Sequence, residues 1–233
     1  MAGSGYTALR IRGSLTMPIE IRPYRPEDRS AVHRIAYLTG YMGEPIDWLW
    51  SDEASFCNVM MGWYTDEEPG SIFVADAGGE VVGYLAGCDD SQRVLGNAAS
   101  RMGREILRGA LVRPGIAGFL WRSIADLLRS RGEAPEEIVD DPRWPAHLHI
   151  NLLPQVRGQG AGGGLMHAWL IRLREQGSAG VHLGTFAENL DGQAFFRSQG
   201  FESHGSPQLT PGFRTREGKR MHVQWMVQSL SRT

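Results

Sequence analysis

The stretch Arg157-Gly158-Gln159-Gly160-Ala161-Gly162 decides the reading of this chain. Before it, His147 to Leu153 alternates and then runs apolar, which predicts a strand. After it, Leu165, Met166, Trp169, Leu170 and Leu173 fall on one face of a helix that Gly177 stops. Glycines between a strand and a helix let the main chain come close to a ligand. Successive N–H groups at the helix start form a nest for an anion. Arg157 adds a positive charge whose planar fork suits phosphate. Gly158, Gly160, Gly162 and Gly163 weaken the helix start by up to ~1 kcal/mol each relative to alanine. That cost suits a pyrophosphate cradle better than a glycine-rich turn with no ligand.

Outward from this turn the chain reads as alternating short elements. Ile19-Glu20-Ile21-Arg22 alternates like a strand, and Pro26-Glu27-Asp28 opens a helix through Val32, Ile35 and Ala36 that Gly40 ends. A second helix is expected from about Asp52 to Trp63. Ser71–Asp76 and Glu80–Ala86 flank Gly78-Gly79, the signature of a hairpin. From Asp89 to Arg143 the character changes. Ile116, Phe119, Leu120, Ile124, Leu127 and Leu128 mark an amphipathic helix, with Pro114 near its start and Gly132 at its end. This block reads as a helical insertion serving packing or a dimer face, since ~55 residues is near the lower limit for independent folding. Val181–Phe186 and Arg220–Val227 read as strands, and Asn189–Gln199 as a short helix stopped by Gly200. The segment Met1–Thr16 is set aside as an extension, leaving one domain over 17–230.

Composition narrows the classes. The 233 residues are 42% hydrophobic, with 24 Lys plus Arg against 26 Asp plus Glu. No basic excess or stripe is present, so no nucleic-acid partner is expected. The only lysine, Lys219, points to the codon bias of a GC-rich genome. No apolar run approaches the ~18 residues that would span a bilayer, and Met1–Thr16 lacks the apolar core of a signal peptide, so no membrane partner is expected. Cys57 and Cys88 form no CxxC and no Cys/His cluster, so no metal site is expected and a reducing cytoplasm is the default location. Both read as small buried hydrophobes.

Three phosphate-binding classes are open to the glycine turn. A P-loop is excluded because no GxxxxGK is present. Gly158-x-Gly160-x-x-Gly163 fits the GxGxxG pattern of NAD(P)-binding oxidoreductases. Against it, Pro154–Arg157 separate the strand from the first glycine, and the following strand lacks the acidic residue expected ~20 positions on. The chain beyond the motif is also short for a doubly wound sheet.

The third class is reached by resemblance. Arg157, Gly160 and Gly162 meet the motif Q/R-x-x-G-x-G/A of the GCN5-related N-acetyltransferase (GNAT) superfamily. Asn189, Phe195, Gly200 and Phe201 approximate its second signature, N-x-x-A-x-x-F-Y-x-x-x-G-F. Ile21-Arg22-Pro23, Glu27-Asp28 and Val82-Gly83-Tyr84 are also similar to family members, as is the order of elements. Counted by its motifs, the resemblance covers Pro18–Ala86 and His147–Leu230. More weakly, His147-Leu148-His149 with the long insert is similar to bacterial acetyltransferases related to the acetyltransferase-like domain of O-GlcNAcases. The resemblance implies an α/β fold with a mixed, mostly antiparallel central sheet flanked by helices, the insertion following the first hairpin.

It also implies acetyl-CoA as co-substrate, with a primary amine on a small molecule or peptide as acceptor and direct attack in a ternary complex. By carry-over, the amides of Gly158, Gln159, Gly160, Ala161 and Gly162 would hold the pyrophosphate beside Arg157. Leu152 and Leu153 would pair with the pantetheine arm, and Asn189 would touch it from the other side. Two departures stand out. Gly192 replaces the alanine of the second signature, and Phe196 replaces the tyrosine that often protonates the leaving thiolate. The second change keeps open a slow or inactive acetyl-CoA-binding protein. An amine with pKa ~10.4 is neutral about once in 2,500 molecules at pH 7, so a base is useful. His147 and His149, two apart on a strand, share one face and are the candidates. In the family the stretch between the first two helices lines the acceptor pocket. Here it holds Tyr41, Trp48 and Trp50 with Glu44, Asp47, Asp52 and Glu53, aromatic walls and carboxylates that would suit a cationic amine.

Overall fold

A computed structural model describes residues 18–130, 139 and 141–230. The Met1–Thr16 extension and the expected stop at Gly132 lie outside the described residues. The first half runs β1 (Ile19–Pro23), α1 (Arg29–Thr39), α2 (Glu53–Met60), α3 (Gly62–Glu67), β2 (Ile72–Ala77) and β3 (Glu80–Cys88). The insertion holds α4 (Ser91–Leu107) and α5 (Ala117–Arg129). The second half runs β4 (Ala146–Leu152), α6 (Ala161–Glu175), β5 (Gly180–Phe186), α7 (Leu190–Ser198), β6 (Glu202–Arg214) and β7 (Arg220–Ser229).

The seven strands form one sheet in the order β1-β2-β3-β4-β5-β7-β6. Every pairing is antiparallel except β4 with β5. A doubly wound parallel sheet, which a dinucleotide-binding reading needs, is therefore not what this chain builds. Gly78 and Gly79 both take positive φ (67° and 97°), as a two-residue hairpin with right-handed twist requires.

Alternation sorts the side chains into two cores. On one face Val32, Ile35, Phe56 and Tyr64 of α1–α3 pack on Val74, Tyr84 and Ala86. On the other, Leu165, Met166 and Trp169 of α6 pack on Ala75, Leu85 and Leu148. Trp169 reaches β3 only because position 87 is glycine: a Cβ there would lie 2.3 Å from the indole.

The helix expected over Asp52–Trp63 is two helices, broken at Met61. A Cβ at Gly62 would sit 2.5 Å from the Arg101 guanidinium, which enters the joint and donates to Asn58 Oδ1 (3.0 Å) and Asp66 Oδ2 (3.1 Å). Arg101 belongs to α4, a polar helix with Gly96 and Gly103 that local pattern does not announce. Its buried Arg101 and Glu105 fasten it, Glu105 through Asn58, Arg108 and Arg113. The amphipathic helix is α5, which starts at Ala117 after a turn through Gly115 (φ 94°). It docks on β6 through Asp126, which is fully buried. Arg214 donates to both carboxylate oxygens at 2.6 Å, and the Gly212 N–H donates to one at 2.9 Å.

Candidate functional site

Pairing between β4 and β5 is confined to Ala146↔Val181 and His147↔His182. Beyond those pairs each strand stays with its other neighbour, β4 with β3 as far as Gly83↔Leu152 and β5 with β7 as far as Phe186↔Val223. The sheet is thus unpaired along the seam from Leu148 onward. The Leu153 N–H donates to Val82 O on the β3 side (3.0 Å). Because backbone groups alternate sides along a strand, the N–H and C=O of Leu152 and Ile150 point to the seam. Leu153 therefore presents no amide to the opening, and Ile150, which sequence reasoning did not single out, does.

β4 ends at Leu152, and Pro154, which has no N–H to continue a ladder, begins a single 3-10 turn over Pro154–Val156. The glycine turn follows. Gly158 and Gly160 have φ of 75° and 85°, the left-handed region that favours glycine, while Cβ atoms there would meet nothing within 4 Å. These two glycines are needed for backbone shape, not for internal packing. Gly160 is the N-cap of α6 and offers no side-chain oxygen to the helix start. The Gly164 N–H donates to Gly160 O (3.0 Å), but among the described residues no acceptor is paired with the amides of Gly158, Gln159, Gly160, Ala161, Gly162 or Gly163. Six consecutive N–H groups thus surround the positive end of a 15-residue helix. Gly162 has the closest internal contacts, its Cβ position 3.2 Å from Phe195 and 3.3 Å from Leu152.

Arg157 does not extend over this nest. Its Nε and Nη2 donate to Leu152 O (3.2 and 2.9 Å), and Nη2 also donates to Gly43 O (2.6 Å). The Gln159 amide likewise turns back, donating to Gln155 O (2.8 Å).

On the opposite face of β4, His147 and His149 lie side by side, ring centroids 4.8 Å apart. Both are half-buried. Burial holds the His149 pKa down at about 4 and that of His147 well below the usual value, so both are neutral at pH 7. They are not equivalent. The Tyr64 hydroxyl, whose own pKa burial raises, lies 3.2 Å from His147 Nδ1 and engages that ring nitrogen in a hydrogen bond. Among the described residues His149 makes ring contacts alone, with His147 and edge-on with Tyr64 at 5.5 Å. Asn151, next on this face, donates to Thr39 O (3.2 Å) and Oγ1 (2.6 Å), tying β4 to the end of α1.

Asn189 is the N-cap of α7. Its Oδ1 accepts from the Gly192 N–H (3.0 Å), and a Cβ at 192 would lie 2.4 Å from Asn189 Nδ2. Glycine at that position and asparagine at 189 thus go together. Phe196 is buried against Phe195 and Phe201, its ring part of the α6-side core.

The aromatic stretch after α1 divides. Trp50 is core, stacked on Phe119 at 4.7 Å. Asp52 caps α2, and Glu53 pairs with Arg34. Tyr41 is buried and Trp48 exposed, the two rings in edge contact at 5.1 Å, and Arg216 from the β6–β7 turn lies over both at 5.7 and 5.5 Å. Cys57 and Cys88 are buried free thiols pushed up to about 12, as expected of inert core residues.

An open strand edge leading into an unpaired amide nest, within a seven-stranded mixed sheet, agrees with what comparison finds. The sequence model of the acetyltransferase (GNAT) family matches residues 33–201. The chain belongs to the GNAT family. Among solved structures, this GNAT protein is similar to SsHAT at 27% identity, over 91% of this chain and 98% of that one, with a TM-score of 0.62. It has the fold of a Drosophila melanogaster polyamine N-acetyltransferase that forms N-acetylagmatine (18% identity, 91% and 100% covered, TM-score 0.56). It also has the fold of yncA, a Salmonella typhimurium protein solved with acetyl-CoA (16%, 92% and 95%, TM-score 0.55). The insertion between β3 and β4 falls inside the matched range.

Proposed function

We propose that this GNAT protein transfers an acetyl group from acetyl-CoA to a primary amine by direct attack in a ternary complex. The observation that carries the reading is the run of six unpaired amides, Gly158 to Gly163, at the mouth of the β4–β5 seam. Gly158, Gln159 and Gly160 are exposed, so their N–H groups are open to a ligand, and a diphosphate supplies acceptor oxygens for a nest of this kind. The residues therefore fit coenzyme A. The amides of Gly158, Gln159, Gly160, Ala161 and Gly162 would bind its diphosphate. The seam-facing N–H and C=O of Ile150 and the N–H of Leu152 would pair with its pantetheine arm, the Leu152 carbonyl being held by Arg157, and Asn189 follows β5 at the start of α7. Acetyl-CoA supplies the acetyl group as a thioester; the chain supplies position and proton handling.

His149 is the proposed base. It is neutral at pH 7 with no hydrogen bond to break, whereas His147 is committed to Tyr64. His147 then positions its neighbour's ring. A base of low pKa cannot deprotonate a free ammonium ion, but it can take the proton from the far more acidic nitrogen formed as the amine attacks. The acceptor must therefore arrive as free amine. Phe196 offers no proton to a departing thiolate. Free thiols have pKa near 8.5, so departure without a dedicated acid is feasible.

Two measurements test this. Coenzyme A at 100 times its Kd should stabilise the protein by ~2.7 kcal/mol, visible as a rise in Tm. Thiol release over a panel of small and peptide amines should be acceptor-dependent, and His149→Ala should lower kcat by roughly 10²-fold or more without weakening coenzyme A binding. Stabilisation without acceptor-dependent release would leave a coenzyme A-binding protein that has lost catalysis. An unchanged rate in His149→Ala would remove the base assignment.

A further inference from the structure

Resting on the coenzyme A reading of the amide nest, we infer that Arg157 is a positioning residue that couples the donor site to the acceptor side. Its guanidinium bridges two carbonyls that belong to different parts of the site. Leu152 O is the last seam-facing carbonyl of β4. Gly43 O lies at the tip of a tight turn between α1 and α2. That turn is a miniature hairpin, with the Tyr41 N–H donating to Glu44 O (2.9 Å) and the Glu44 N–H to Tyr41 O (2.8 Å). Its two central residues, Met42 and Gly43, both have positive φ, 51° and 89°. A non-glycine residue in that region is strained, so the turn needs outside support. The support is Arg157 on one side and, on the other, Arg216 over the rings of Tyr41 and Trp48.

Gly43 is shaped for the latch. A Cβ there would lie 2.9 Å from both terminal nitrogens of Arg157, so only glycine lets the guanidinium this close. The guanidinium also has donors to spare. Among the described residues Nε and Nη2 make all three bonds and Nη1 none, and Arg157 is adjacent in sequence to the first amide of the nest. A diphosphate bound at the neighbouring Gly158 amide would draw on Nη1, while Nε and Nη2 keep Leu152 and Gly43. Fixing the guanidinium in this way tightens the turn that carries Tyr41. Donor and acceptor affinities are then linked with the same sign, and by reciprocity each raises the other.

The test needs no knowledge of the acceptor. The amides of Tyr41, Gly43 and Glu44 are hydrogen-bonded within the turn and report its opening, Gly43 through Thr39 O at 3.0 Å. Hydrogen exchange at these amides is followed by NMR in the full-length protein, with and without coenzyme A. In the wild type, saturating coenzyme A should slow their exchange at least fivefold. Arg157→Lys keeps a cation for phosphate but loses the two-pronged grip. It should raise exchange at Gly43 and Glu44 in the free protein by about tenfold, and should abolish the slowing by coenzyme A at concentrations where binding is confirmed by calorimetry. Equal slowing in wild type and Arg157→Lys overturns the latch, as does unchanged basal exchange in the variant. Failure of coenzyme A to bind the wild type removes the acetyltransferase reading itself, and the coupling with it.

Discussion

Gly158 and Gly160 differ from most glycines of this chain in what they are for. Nothing within 4 Å would touch a Cβ at either position, yet both backbones are left-handed. Gly160→Ala should therefore cost only the conformational penalty, about 1 kcal/mol in chemical denaturation. It should lower coenzyme A affinity by much more, because the amides turn with the backbone. A variant that lost stability but kept full affinity would show that the nest binds nothing. At the same scale, His149 carries a pH signature. Burial places its pKa at about 4, so it stays neutral from pH 5 upward. The kcat/KM for an amine should rise with pH in step with deprotonation of that amine, with no inflection near 6.5. An inflection there that vanished in His149→Ala would mean the histidine is more hydrated in the working enzyme than its surroundings imply.

Among the elements, the insertion shows how much a pattern of residues conceals. The apolar spacing of Ile116, Phe119 and Leu120 predicts α5 because those side chains face the core. It does not predict α4, whose buried residues include Arg101 and Glu105, polar groups legible as core only once Asn58, Asp66 and Arg113 are in place around them. The same Arg101 divides one expected helix into α2 and α3. Asp126 of α5 is the firmest of these polar ties. Burial would raise its pKa, but the Arg214 fork, the Gly212 N–H and Arg220 overcome that and hold it below the usual carboxylate range. Asp126→Ala should destabilise the protein by about 3–5 kcal/mol in urea titration, since it strands Arg214 beside a buried gap. A loss under 1 kcal/mol would mean that α5 is fastened elsewhere.

For the whole molecule, the titrating groups agree in sign. His33 and His149 have pKa values of about 4, and those of His147 and His182 are also lowered, in each case chiefly by burial. The unfolded chain binds these protons near pH 6.5, so stability present above pH 6.5 drains away as pH falls toward 4. Discounted for partial exposure, His33 and His149 account for about 2 kcal/mol each. Tm should drop steadily between pH 6.5 and 4, and His33→Gln should flatten part of that slope. A Tm independent of pH over this window would contradict the burial of these rings. Across the sheet, two cores on opposite faces hold β4 and β5 to different neighbours and leave the seam between them unpaired. No helix among the described residues is long and apolar enough to cross a membrane.

What the amino-acid order determined by itself was local. The hairpin at Gly78-Gly79, the helix faces of α1, α5 and α6, and the glycine turn after β4 each follow from periodicity or allowed backbone angles within a few residues. The histidine pair was legible too, because period two puts positions 147 and 149 on one face whatever lies opposite. Only the tertiary structure decided which of the two is free, since that depends on Tyr64 from a distant helix. It also decided that Leu153 faces β3 while Ile150 faces the seam, a matter of register between strands far apart in the chain. And it turned Arg157 from a cation beside a phosphate nest into a tie between residues 114 positions apart. Side-chain identity states what a group can bond to. Long-range packing selects the partner, because bonds between distant residues form only where the cores bring their backbones together.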